Sequence, residues 1–170
     1  MTQFVHLHNH SDYSLLDGAQ SIESLVNRAV ELGMPAVGLT EHGNLFSAIH
    51  FLKAANTSGL KPILGCEIYV ADNNRFDKKS REQGGSGYHH LLLLVQNRQG
   101  YENLIKLVSL GYLEGYYYRP RVDNELLRKY NAGLIATCAC IKGRIPDLAI
   151  KNNNKKAKQL ALEYAEIFAG

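Results

Sequence analysis

The spacing of apolar and polar residues changes several times along the chain, and each change marks an element. Phe4-Val5 opens an extended, strand-like segment that runs into a polar stretch, His6 to Gly18. From Ser21, apolar residues fall at Ile22, Leu25, Val26, Ala29 and Val30. This is the spacing of one helix face, with Ser21 as its cap and Gly33 and Pro35 as its stop. Ala36-Val37-Gly38-Leu39 is a short apolar strand that enters a second polar loop, Thr40-Glu41-His42-Gly43-Asn44. A helix through Ile49, Phe51 and Leu52 follows and ends near Gly59. Pro62 to Val70 reads as a buried strand with a single charge in it, Glu67.

Between Asp72 and Tyr88 the composition turns charged and ends in Gly84-Gly85-Ser86-Gly87. That run predicts a mobile loop and lacks the glycine spacing of a dinucleotide or P-loop fingerprint. The strand His90 to Val95 comes next, then a helix from about Tyr101 to Leu110 and an aromatic loop from Tyr112 to Pro120. A helix near Asp123 to Tyr130, a strand from Gly133 to Cys138 and a helix from Asn154 to Phe168 complete the alternation. Strands alternating with helices predict right-handed βα units and a parallel sheet, which both nucleotide-type folds and βα barrels satisfy.

Composition narrows the class. A chain of 170 residues with 45% hydrophobic content suits one globular domain with a sizeable core. No apolar run is long enough to span a bilayer, and the strand-like start has no basic segment or cleavage site, so no membrane role is expected and the expected compartment is the cytoplasm. Cys66, Cys138 and Cys140 are odd in number, and Cys-x-Cys is too tight for easy pairing, so no disulfide framework is expected. A net charge of +3 permits nucleic acid or phosphate as a partner without indicating one. The lysines between Lys151 and Lys158 read as a solvated helix start.

The chemistry concentrates in the first polar stretch. Alternate residues of an extended chain point to one side, so His6, His8 and His10 share a face, with ring nitrogens roughly 6–7 Å apart. Neutral imidazole is the commonest ligand for zinc-like ions. Polar residues also gather at the ends of the other strands: Asp17, His42, Glu67, His89 and His90, Cys138 and Cys140. Taken singly, each has a structural explanation, as a loop histidine or a small buried thiol. Their shared position at strand ends is what a barrel or open parallel sheet would gather on one face. Glu67 is the sharpest of them, since an unpaired buried carboxylate costs several kcal/mol and a nearby cation would remove that cost. So many ligands exceed the needs of one tetrahedral ion and point to two or more, with Glu67 suited to bridging. Ions about 3.5–4 Å apart suit phosphate-ester hydrolysis through an activated water, for which Glu67, His8 and His10 are the catalytic candidates. The nitrogen-rich set favours Zn, Mn or Fe. Nucleophilic Cys/His catalysis would leave most of the histidines unexplained.

Over essentially its whole length the chain resembles the PHP (polymerase and histidinol phosphatase) family. Within that family it resembles the branch carried at the N-terminus of bacterial replicative polymerase catalytic α subunits. His8-Asn9-His10-Ser11-Asp12-Tyr13-Ser14-Leu15-Leu16-Asp17-Gly18 looks like the first family motif, and Leu39-Thr40-Glu41-His42-Gly43-Asn44 looks like the second. Gly65 to Val70, His90 to Leu94, Gly115 to Arg121 and Gly133 to Cys140 fit later segments in order. The resemblance implies a distorted seven-stranded βα barrel and metal ligation by His8, His10, Asp17, His42, Glu67, His90 and Cys140, with two or three ions in a complete domain. His6, His89 and Cys138 fall outside the implied ligand positions.

Two activities are implied: 3′–5′ exonuclease chemistry on a DNA 3′ end, or a non-catalytic docking surface for a separate proofreading subunit. A free-standing phosphatase is a further alternative, against which the Tyr116-Tyr117-Tyr118-Arg119-Pro120-Arg121 segment speaks. The family's final Asp-x-His pair has no counterpart within the 170 residues. The expectation is therefore one domain over 1–170, the N-terminal part of an incomplete barrel, as a piece of a longer polymerase chain.

Overall fold

The computed structural model describes residues 4–78 and 87–169, so Gly84-Gly85-Ser86 of the expected mobile loop lies outside the described residues. In chain order the elements are α1 (Ile22–Glu31), β1 (Ala36–Leu39), α2 (Ala48–Thr57), β2 (Lys61–Ala71) and β3 (Tyr88–Val95). They continue with α3 (Arg98–Leu113), β4 (Arg121–Val122), α4 (Asn124–Lys129), β5 (Leu134–Thr137), α5 (Arg144–Ile150) and α6 (Asn154–Ile167). Local chemistry sets the boundaries. Ser21, Asn97, Asp123 and Asn153 each accept a backbone N–H at the start of a helix. Gly33 and Gly59 take positive φ just past α1 and α2, where a left-handed residue ends a helix.

β2 is the hub of the sheet. One of its edges takes β1 in parallel, from Ala36 opposite Lys61 to Leu39 opposite Leu64. The same edge then takes a parallel bridge between His42 and Glu67, and finally β4 at Tyr69 and Val70. β3 occupies the other edge and β5 lies beyond it. The result is an open five-stranded α/β sheet with six helices among the described residues, in keeping with part of a βα barrel.

The expectation of an all-parallel sheet is corrected. β3 runs antiparallel to β2, with Glu67 opposite Leu92 and Tyr69 opposite His90, and β5 is antiparallel to β3. A parallel return needs a crossover of a dozen or more residues, usually helical, whereas the charged and glycine-rich link between β2 and β3 has no helical pattern. The reversal puts the amino end of β3 beside the carboxyl half of β2. Residues 6–9 also differ from expectation. They follow β1, with Gly38 and Thr40 N–H donating to the His6 and Asn9 carbonyls at 2.7 and 2.9 Å, but do not form a regular strand.

Alternation along β2 separates core from site. Cys66, Ile68 and Val70 join Leu91, Leu93, Leu104, Leu107 and Leu127 in one buried cluster. α1, α2 and β1 enclose a second, around Val26, Leu39 and Phe51. Glu67 and Tyr69 lie on the opposite face of β2 from the first cluster because side chains alternate.

Candidate metal centre

Glu67 is 1% exposed and stands where four chain segments meet. Its Oε2 lies 2.6 Å from His8 Nε2, 3.1 Å from His10 Nε2 and 3.7 Å from His42 Nδ1. Its Oε1 accepts from His90 Nδ1 and lies 3.8 Å from Cys140 Sγ, which is also 3.8 Å from His90 Nδ1. The rings pack against one another as well: His10 stacks on His42 with centroids 4.0 Å apart, and His8 meets His10 edge-on at 5.0 Å.

Each segment arrives for a local reason. His8 and His10 point the same way because residues two apart in extended chain do so, and the Asn9 amide, donating to the His6 and Gly38 carbonyls, fixes the segment against β1. Gly18 closes the first loop where a Cβ would stand 1.7 Å from the Ser11 carbonyl oxygen, so no other residue fits. His90 reaches Glu67 from the amino end of β3, which the antiparallel return brings alongside. Cys140 follows Ala139, whose φ of 33° is unusual for a residue with a side chain and turns the chain after β5 back toward the sheet.

Of the residues singled out in the sequence, the structure brings His8, His10, His42, Glu67 and His90 into direct contact, with Cys140 just outside. Asp17 joins at one remove, its Oδ2 accepting from His42 Nε2 at 2.9 Å. His6 packs against Phe4, His89 pairs with Asp72 at 2.9 Å, and Cys138 is exposed.

Glu41 went unnoticed in the sequence. It is 2% exposed and accepts from the hydroxyls of Ser11, Ser14 and Ser47, the last at 3.0 Å, and from the Ser11 N–H at 3.2 Å. Both oxygens are thereby occupied, so Glu41 ties the first polar loop to the second. Ser14 Oγ in turn accepts the His42 N–H at 3.1 Å. A carboxylate following the buried run of β1, with serines in both polar loops, was the available signal.

Burial works against charge on both Glu67 and His10, and their pairing overcomes it. The ring N–H groups of His10, His8 and His90 hold the Glu67 carboxyl far below the usual carboxylate range. Glu67 in return raises the pKa of His10. Two sets of ligand atoms, from His8, His10 and Glu67 and from His42, Glu67 and His90, each lie within 4.8 Å of one another and share Glu67. His10 Nδ1 and His42 Nδ1 are buried without a hydrogen-bond partner. Buried polar atoms normally have one, and a cation-coordinating role would account for them. Imidazoles, a carboxylate and a nearby thiol form a donor set that fits Zn, Mn or Fe.

Residues 6–170 match the family described as the PHP domain. The DNA polymerase III α subunit of Borreliella burgdorferi is 50% identical over 167 residues, which is 98% of this chain and 14% of that protein. The same subunit of Treponema pallidum is 48% identical over 165 residues, covering 97% and 14%. That of Aquifex aeolicus is 46% identical over 169 residues, covering 97% and 15%. The chain thus spans about one seventh of the length of these relatives.

Proposed function

The chain belongs to the PHP domain family, and from that premise we propose that it is the metal-dependent phosphoesterase part of a replicative DNA polymerase catalytic subunit, acting as a 3′–5′ exonuclease on a DNA 3′ end. The observation that carries this reading is Glu67, a buried carboxylate with three imidazole nitrogens within 3.1 Å or in direct hydrogen-bond contact. Relatives named as polymerase subunits, at 46–50% identity, support the replicative setting. Partners of the reading are the DNA 3′ end and the remainder of the α subunit. The proposed compartment is the cytoplasm, and no helix among the described residues is long and apolar enough to cross a membrane.

In this reading His8, His10, His42, Glu67 and His90 hold two or three divalent ions, Zn or alternatively Mn or Fe, with Asp17 and Cys140 at the margins. Bound ions would supply Lewis-acid polarisation of the phosphate ester and a water of lowered pKa. The chain's own contribution is placement. Glu67 offers both oxygens from a rigid strand, and Asp17 Oδ2 accepts the His42 Nε2 proton and so leaves Nδ1 facing Glu67. Glu41 and its serines hold the two histidine-bearing loops together.

The test is metal content by mass spectrometry on the purified chain supplied with Zn, Mn or Fe in turn, alongside release of the terminal nucleotide from a 3′-labelled oligonucleotide. Two or more equivalents and hydrolysis, both lost in His8→Ala and Glu67→Ala, are expected. Failure to take up any of the three ions overturns the reading. Uptake without hydrolysis would instead favour a non-catalytic module that docks a proofreading subunit.

A further inference from the structure

Beside the Glu67 cluster, and bordered by His42 and Tyr69, lies a cleft of about 390 Å³. Phe46, Tyr69, Tyr112, Tyr116 and Tyr118 bring aromatic rings to it, and Arg119 is the cation in its wall. Among the described residues, no acidic side chain lines it. His42 lines the cleft with its Nδ1 3.7 Å from Glu67 Oε2, and Tyr69 lines it with its ring 5.1 Å from that of His90, so the cleft adjoins the cluster.

Core packing accounts for Tyr69, which is 5% exposed, but not for the other rings. Phe46 is 71% exposed, Tyr116 51% and Tyr118 75%. Tyr118 also takes a φ of 59° in a turn closed by the Tyr117 N–H donating to the Arg119 carbonyl at 3.1 Å. A non-glycine residue held in the left-handed region is uncommon, and here the turn carries the ring outward. Tyr112 and Tyr116 already stack, 6.1 Å apart at 18°, and the Arg119 guanidinium lies 5.8 Å over the Tyr69 ring. These are the parts of a site for single-stranded nucleic acid: aromatic faces on which a base stacks and a cation for its phosphate.

We infer that this cleft is a base subsite, which takes the unpaired terminal nucleobase of a single-stranded DNA 3′ end while the adjoining phosphodiester reaches the histidine cluster. The inference rests on the proposed phosphoesterase reading for the identity of its occupant. The volume suits one nucleoside, being near the small end of ligand pockets, about 300–1,000 Å³. With room for one nucleoside, the cleft cannot admit a base together with its pairing partner, so it selects frayed ends over paired ones. Stacking is tolerant of sequence, since every base has a π face.

The test reads binding without turnover. The full chain is kept in EDTA, and fluorescence anisotropy compares a 5′-labelled oligothymidylate with the same strand ending in an abasic residue. The base-bearing end should bind at least about tenfold more tightly. Tyr116→Ala and Tyr118→Ala should erase that preference, Tyr116→Phe should keep it, and all three should fold as the parent does because the rings are exposed. Equal affinity for the two ends, or a preference untouched by both alanine variants, overturns the subsite. So does absence of binding, or displacement of neither strand by excess unlabelled single-stranded DNA. Metal-dependent hydrolysis without any base preference would leave the phosphoesterase reading standing and the subsite refuted. A base preference in EDTA with no hydrolysis under any ion would do the reverse.

Discussion

Replacing Glu41 by alanine strips the acceptor from three buried hydroxyls and one backbone N–H. Ser11 and Ser47 are fully buried and Ser14 is 4% exposed, so solvent reaches none of them without local opening. Each buried donor left unpaired costs about 1–3 kcal/mol. Hydrogen bonds to a charged group contribute about 1.5–3 kcal/mol each, and partial rearrangement keeps the four from adding, so the expected loss is about 3–5 kcal/mol. With a urea slope of about 2 kcal/mol per M, the unfolding midpoint should fall by about 1.5–2.5 M. Glu41→Gln keeps shape and one acceptor oxygen but turns an amide toward hydroxyls that donate, so its loss should fall between parent and alanine variant. Urea titration followed by far-UV circular dichroism measures both. A shift below about 0.5 M for Glu41→Ala at unchanged slope would refute the reasoning, because the serines would then have other acceptors.

Two further outcomes follow from groups away from the cluster. Arg75 donates to Glu114 at 2.6 Å and to Asp123 at 3.0 Å, and Asp123 also caps α4. Arg75→Ala should lower the melting temperature by roughly 10 °C, from a loss of about 3–5 kcal/mol, and Arg75→Lys should recover only part because an ammonium cannot span both carboxylates; a change within ~2 °C for the alanine variant counts against it. Burial pushes the Tyr164 phenol up to about 12 from an ordinary 10. The folded form therefore holds that proton more tightly than the unfolded form. The resulting stability, about 2.5 kcal/mol, is complete below pH 10 and drains away as pH rises through the folded value. Tyr164→Phe should flatten the fall in stability between pH 10 and pH 12, an effect diluted by Tyr69, which burial also pushes up to about 12; an unchanged alkaline slope sinks the argument.

Much of this was legible from local rules. The α1 face, the β1 run and the glycines after α1 and α2 follow from periodicity and capping, which act within a few residues. Glu67 stood out because one charge in an apolar run has an energetic cost that something must remove. The direction of β3 was not legible, because strand polarity depends on how the chain returns. α5 escaped for a related reason: only seven residues long and with Pro146 in its first turn, it buries no face that periodicity could report. Glu41 was hidden by its neighbour, since a carboxylate beside His42 reads as one more loop charge until its serines are seen around it.

Glu67 meets His8 from 59 positions upstream and Cys140 from 73 positions downstream. Contacts of such long range carry a loop-closure cost and slow folding. The expected order is pairing of β2 with β3 first and assembly of the cluster after it. A nascent or partly unfolded chain presents isolated histidines, whereas the convergent set exists only in the finished fold. Capture of an ion at this point would act as a latch on completed folding and would slow unfolding more than it speeds folding.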